Sequence, residues 1–150
     1  MKRASTVLLA AGGACLALSM AFSAVSAGNP VEDRQATMKD VGKSMKDAAA
    51  INTPATFDAA KAKALMDGVA ADAKKLHGLY PAGSDKDPKT AADPKIWDNK
   101  ADFDKRLAEM GTLATAAGKT TSAETFKPAY AAVGATCKGC HDLYRKKKTT

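Results

Sequence analysis

The residues with the clearest chemical potential lie near the C-terminus, in the run Cys137-Lys138-Gly139-Cys140-His141. On a helix, Cys137, Cys140 and His141 stand at positions i, i+3 and i+4, so their side chains share one face. Two thiols at that spacing can form thioether bonds with the two vinyl groups of a haem, while the imidazole beside them reaches the iron. A C-x-x-C-H run is the attachment site of a c-type haem. The run therefore predicts one covalently bound haem c, with His141 as an iron ligand.

Three other uses of the two cysteines fit the sequence less well. A structural zinc site normally takes four ligands, and residues 28–150 offer only these two thiols, His141 and the distant His77. A redox pair of the thioredoxin type opens a helix that follows a strand, whereas this pair lies late in a helical segment. A structural disulfide between Cys137 and Cys140 is the third alternative, and it stays open on the sequence alone.

The first 27 residues have the pattern of an export signal. Lys2 and Arg3 precede an uncharged stretch over 7–25, and small residues at 25–27 offer a cleavage site. An uncleaved membrane anchor is the alternative, although the many Ala, Gly and Ser residues favour cleavage. We predict a cleaved signal peptide over 1–27 and a mature domain over 28–150. Export would place the protein in the bacterial periplasm, with no membrane insertion after cleavage.

Four segments of the mature chain carry apolar residues at helical spacing. The stripes run over 31–48, 62–76, 103–117 and 126–144, and each predicts a helix of about 30 Å. Aromatic residues make up only 5% of the chain, which argues against a β-sandwich or barrel. No helix can bury its stripe alone. The pattern therefore predicts an all-α fold, an antiparallel four-helix bundle with the haem near the C-terminal helix.

Capping residues and prolines predict where the helices begin. Thr53 and Pro54 predict the start of the second helix. Thr121, with Glu124 three residues later, fits a capping box for the fourth. The longest connection, over 80–99, contains three prolines, and a loop of this length in a small domain is usually functional or covers something.

Four motifs, in order along the chain, resemble those of a known family. They are Arg34-Gln35-Ala36-Thr37-Met38-Lys39, Leu79-Tyr80-Pro81-Ala82-Gly83-Ser84, Pro94-Lys95-Ile96-Trp97 followed by Phe103, and the cysteine run continued by Asp142-Leu143-Tyr144-Arg145-Lys146. Together with the late position of the haem run, they make the whole mature chain similar to the class II c-type cytochromes, which are cytochrome c′ and the low-spin cytochrome c-556. One departure is Tyr80, where the family usually has Phe.

The resemblance gives three more residues a role at the haem. In cytochrome c-556 a methionine at the position of Met38 is the sixth iron ligand, whereas in cytochrome c′ the residue there packs over the iron without binding it. We expect Met38 to be a ligand, with distal packing as the alternative. Arg34 is expected to pair with a haem propionate, because a buried guanidinium needs a partner; a partly exposed salt bridge is the alternative. Arg145, four residues after His141, is expected beside the proximal side of the haem, with a solvated position as the alternative.

Ligation by Met38 decides between two functions. If His141 and Met38 both bind the iron, the resemblance implies a low-spin, non-enzymatic electron carrier. If the distal position is open, it implies a high-spin protein that binds nitric oxide or carbon monoxide. The formal charge is +7 for the whole chain and +5 after loss of Lys2 and Arg3 with the predicted signal peptide. In an exported protein, this favours redox partner proteins with acidic docking surfaces over nucleic acid. The protein is expected to be a monomer or a homodimer.

Overall fold

The computed structural model describes residues 28–147, so the predicted signal peptide over 1–27 lies outside it. It contains five helices: α1 (Pro30–Ala50), α2 (Ala59–Leu76), α3 (Lys95–Asp98), α4 (Lys100–Ala117) and α5 (Ala123–Tyr144). Within this part of the chain no strand forms, and a single isolated bridge joins Ala92 to Arg145. The four long helices coincide with the four apolar stripes, which confirms the predicted all-α four-helix bundle. Each helix in 28–147 is too short or too polar to cross a bilayer.

The start of α2 differs from the prediction. The helix begins after Asp58, whose carboxylate accepts a hydrogen bond from the Lys61 backbone N–H at 2.9 Å. Thr53 and Pro54 lie in the preceding turn and cap no helix. An aspartate is at least as good an N-cap as a threonine, which is consistent with the later start.

The start of α5 is also later than predicted, by one residue. Ser122 is the cap in place of Thr121, because its hydroxyl accepts a hydrogen bond from the Thr125 backbone N–H at 3.4 Å. Glu124 therefore stands at the second helical position. Its charge stabilises the positive end of the helix dipole there and closes no capping box.

The long helices surround a core but leave one loose seam. α1 packs against α2, α2 against α4, and α4 against α5, whereas direct packing between α1 and α5 is sparse. The largest side chains of the core are at most 2% exposed and include Met66, Leu76, Phe103 and Phe126. At one point the Tyr130 hydroxyl of α5 donates a hydrogen bond to the Met45 carbonyl of α1 at 3.2 Å. Elsewhere the seam widens into a groove.

Candidate functional site

Two cavities lie in the seam between α1 and α5. The first, about 360 Å³ in volume, is lined by Arg34 and Tyr80 at one end, and we call it the arginine-side cavity. The second, about 260 Å³, is walled mainly by apolar side chains of α1 and α4. Met38, Cys140 and His141 line both, so the cavities are two parts of one groove. The structure thus brings Met38 to the side chains of the predicted haem-attachment run.

The second cavity, here called the methionine-side cavity, has walls suited to a flat apolar group. Its apolar lining comprises Met38, Val41, Met45, Leu107 and Met110. Gly42 on α1 and Gly134 on α5 also line it, and no atom lies within 4 Å of the Cβ that each could carry. The absence of side chains at these two positions keeps the groove wide. A haem macrocycle, which is flat and largely apolar, fits this arrangement.

Helix α5 presents the attachment residues toward the groove. Cys137 and Cys140 are half-buried and free, so the pair forms no disulfide. Burial raises the pKa of the Cys137 thiol and raises that of Cys140 to about 11. His141 lies at the exposed edge of the groove, where partial burial and the charge of Arg145 lower its pKa. A neutral imidazole is the form that binds a metal ion.

The structure gives no support to the zinc or redox-pair alternatives. Within residues 28–147, no group of three His, Cys, Asp or Glu side chains is placed to hold a metal ion. His77 instead contacts Asp104, with 3.3 Å between its Nδ1 and the carboxylate. The two cysteines lie in the C-terminal third of α5 and not at its start.

Met38 differs from the methionines of the core. Met66 and Met110 are 0% and 6% exposed, whereas Met38 is half-buried and contributes to both cavities. It stands on α1, whereas His141 stands on α5, and both residues line the groove. A thioether in this position is a soft ligand available to iron.

Arg34 makes contacts that the sequence pattern did not reveal. It is 3% exposed, and its guanidinium donates hydrogen bonds to the carbonyls of Leu79 and Ser84 at 3.2 and 2.9 Å. It also donates to the Ser84 hydroxyl at 2.9 Å and to the Thr90 hydroxyl. All four acceptors are uncharged, so the partly exposed salt bridge considered for Arg34 is wrong. Burial lowers the pKa of Arg34, and the residue holds the long connection against α1.

The connection over 80–99 also places aromatic rings beside the groove. The Arg34 guanidinium lies 5.0 Å from the centroid of the Tyr80 ring, which packs edge-on against Phe103 at 4.6 Å. Trp97 donates from Nε1 to the Pro81 carbonyl at 3.0 Å. The turn between them depends on Gly83, whose φ of +83° strains any residue with a Cβ.

Arg145 is exposed and lines the arginine-side cavity. Its place beside the proximal side of the haem stays a prediction. The backbone on either side of it is fixed. The Tyr144 carbonyl accepts from the Asp93 N–H and the Lys146 N–H donates to the Ala91 carbonyl, each at 2.9 Å. These two bonds hold the end of the chain at the mouth of the cavity.

Arg106 is a groove residue that sequence reasoning missed. It lines the methionine-side cavity beside Cys140, and its Nε donates to the Asp102 carboxylate at 2.7 Å. The Tyr144 hydroxyl donates to the same carboxylate at 2.7 Å. The i,i+4 spacing of Asp102 and Arg106 was a usable signal for the ion pair, although not for its place in the groove.

Comparison with known proteins agrees with the geometry of the groove. Residues 29–145 match the family model described as Cytochrome C′. The chain is 39% identical over 128 residues to cytochrome c′ of Rhodopseudomonas palustris (strain ATCC BAA-98 / CGA009), covering 84% of this chain and 88% of that protein. It is likewise 39% identical over 128 residues to cytochrome c-556 of Agrobacterium fabrum, with coverage of 83% and 86%. The solved structure of cytochrome c′ from R. palustris superimposes with a TM-score of 0.75 at 36% identity, covering 82% of this chain and 100% of that one.

Proposed function

Because the chain belongs to the cytochrome c′ family of class II c-type cytochromes, we propose that it is a low-spin, non-enzymatic electron carrier of the cytochrome c-556 kind. Family membership makes covalent haem c, with its iron, the cofactor of this protein. The haem supplies one-electron exchange between ferric and ferrous iron. The observation that carries the proposal is that Met38 of α1 and His141 of α5 line the same two cavities of the groove.

In this proposal the side chains of the haem-attachment run and of Met38 each have one role. The thiols of Cys137 and Cys140 would each add across one vinyl group. The S–H bond and the C=C π bond would break, a C–S bond and a C–H bond would form, and no oxidant would be consumed. His141 of α5 would hold the iron through its imidazole, and Met38 of α1 would hold it through its thioether sulfur. Ligation by both side chains would favour electron exchange with little rearrangement, and the thioether would raise the potential relative to harder ligands.

The rim of the arginine-side cavity supports docking of an acidic redox partner. Lys39 and Arg145 line the cavity, and Lys146 and Lys147 follow on the exposed end of the chain. Leu143 lies in the same segment and is 45% exposed, which adds an apolar contact to the cationic rim. We therefore expect electron transfer to an acidic partner to slow as ionic strength rises.

The proposal places the protein in the periplasm, after removal of residues 1–27, as a monomer or a homodimer. N-terminal sequencing of the exported protein should find a start near Gly28, and retention of residues 1–27 in a membrane fraction would contradict this. Mass spectrometry should find the mature chain plus one haem. Replacing both Cys137 and Cys140 with Ser should abolish the added mass.

The spin state of the iron tests the function directly. Optical spectra of the wild-type protein should show low-spin iron, with a sulfur-to-iron charge-transfer band in the oxidised state. Met38→Ala should shift the iron toward high spin and allow carbon monoxide to bind. Met45→Ala is the matched control, because it removes a second methionine of the methionine-side cavity and should leave the spectrum low-spin.

A high-spin wild-type spectrum without that band would overturn ligation by Met38. The second candidate function, capture of nitric oxide or carbon monoxide, would then apply. The specific observation in its favour is the apolar lining that α1 contributes around Met38, which includes Val41 and Met45 and would offer a small uncharged ligand an apolar surface on that side of the haem. In that case Met38→Ala should change the rate of carbon monoxide binding and not the spin state.

A further inference from the structure

The hydroxyl of Tyr80 is a polar group on the groove wall without a protein partner. Tyr80 lines the arginine-side cavity, and no hydrogen bond joins its hydroxyl to another residue of 28–147. The hydroxyl is not fully enclosed by the protein. The other two tyrosines differ, since Tyr130 donates to the Met45 carbonyl and Tyr144 to the Asp102 carboxylate. A hydroxyl that can be reached from the cavity and has no protein partner can donate a hydrogen bond to a group held there.

The ring of Tyr80 is held in place by its packing. The residue is 8% exposed, and its ring lies 4.6 Å from Phe103 and 6.2 Å from Trp97. The Arg34 guanidinium covers it at 5.0 Å. A phenylalanine would make the same ring contacts. The hydroxyl thus adds a hydrogen-bond donor to the groove and contributes little to its packing.

The charges around the cavity specify an acceptor. Arg34, Lys39 and Arg145 line the arginine-side cavity, and no carboxylate from residues 28–147 does. The hydrogen-bond partners of the Arg34 guanidinium are all neutral. Among residues 28–147, the charge of Asp87 acts on the Arg34 pKa without a hydrogen bond. An anion on this side of the groove would be stabilised both by these cations and by a donated hydrogen bond. The haem itself carries two such anions, its propionate carboxylates.

We propose that the Tyr80 hydroxyl donates a hydrogen bond to a haem propionate, with Arg34 supplying positive charge beside it. The proposal rests on haem c lying in the groove, and it does not depend on whether Met38 binds the iron. Tyr80 is then a positioning residue. A propionate charge stabilises ferric iron, and a hydrogen bond that disperses this charge raises the reduction potential.

The test compares Tyr80→Phe with Tyr130→Phe in the haem-loaded protein. Tyr130→Phe is the matched control, because it removes a hydroxyl from α5 that is already bonded to the Met45 carbonyl. Redox titration should show a lower potential for Tyr80→Phe, by up to about tenfold in the equilibrium constant, or 59 mV for one electron. Redox-difference infrared spectra should show a shifted propionate carboxylate band in this variant alone.

A Tyr80→Phe protein with the potential and the carboxylate band of the wild type would overturn the proposal and leave Tyr80 as a packing residue. The wild-type protein labelled with 13C-tyrosine offers a second measurement that needs no variant. Its tyrosine C–O band should shift between the two redox states, and a constant band would also count against the proposal. Both results can be obtained with high-spin or low-spin iron, so failure of the Met38 ligation remains distinguishable.

Discussion

Replacing Arg34 with Met should loosen the 79–90 segment from α1. The guanidinium donates to the carbonyls of Leu79 and Ser84 at 3.2 and 2.9 Å and to the hydroxyls of Ser84 and Thr90. Methionine has a similar reach and donates no hydrogen bond. The two hydroxyls keep other partners within the segment. The groups left without a donor are therefore the two carbonyl oxygens.

The expected loss in the free energy of unfolding follows from these two acceptors. A buried acceptor left without a partner costs about 1–3 kcal/mol, which gives about 2–6 kcal/mol for the pair. Two effects favour the lower half of this range: Ser84 is only half-buried, so water can reach it, and the variant no longer buries a charge. We expect the free energy of unfolding to fall by about 2–3 kcal/mol.

Urea unfolding of the haem-loaded protein, followed by circular dichroism, measures this loss. With a slope of about 1–3 kcal/mol per molar urea, the midpoint should fall by about 1–2 M. Gln35→Ala is the matched control, since Gln35 is the next residue of α1 and bonds the Lys89 carbonyl at 2.8 Å in an exposed position. Its effect should stay within about 0.5 kcal/mol. An Arg34→Met midpoint equal to that of Gln35→Ala would refute the assignment of Arg34 as the anchor of this segment.

Three further predictions concern single positions. Gly83→Ala should cost about 1–2 kcal/mol in urea unfolding, because a φ of +83° places the new Cβ in the strained left-handed region; an unchanged midpoint would show that the turn relaxes. Met66→Ala should cost about 2–5 kcal/mol, since the side chain is fully buried, and a loss below that range would mean that the core closes over the cavity. Hydrogen bonds from Arg106 and Tyr144 hold the pKa of Asp102 below its usual value. The stabilisation that this carboxylate contributes is therefore present above about pH 4, and it is lost as the pH falls through the folded pKa. The stability gap between wild type and Asp102→Asn should therefore shrink on acidification, and a gap that is constant between pH 7 and pH 2 would contradict the linkage.

The parts of the fold that depend on local spacing could be predicted from the sequence. Apolar residues three and four positions apart define a helical face whatever lies opposite it, and all four long helices were found in this way. The relation of Cys137, Cys140 and His141 is equally local, because one helix sets it. The starts of α2 and α5 were misplaced because several residues near each start can cap a helix, and the choice among them depends on the fold of the preceding turn.

The contacts of Arg34 could not have been predicted from spacing. Its acceptors lie 45 to 56 residues away along the chain, and two of them are backbone carbonyls, which every residue carries. A side-chain pattern contains no information about such partners. The position of Met38 in the same groove as His141 is a tertiary relation of the same kind, and the sequence suggested it only through the resemblance of its motif to a known family.

Three substitutions on this side of the groove separate structural effects from electrostatic ones. Gly83→Ala strains the turn and removes no charge, so it should lower stability and leave the reduction potential unchanged. Tyr80→Phe keeps the ring contacts and removes the hydroxyl, so it should lower the potential with little effect on stability. Arg34→Met removes both the anchor of the connection and the positive charge beside the groove, and it should lower both quantities. If Arg34→Met lowered stability alone, the charge of Arg34 would be too far from the haem to change the reduction potential. The role of Arg34 would then be limited to holding the connection against α1.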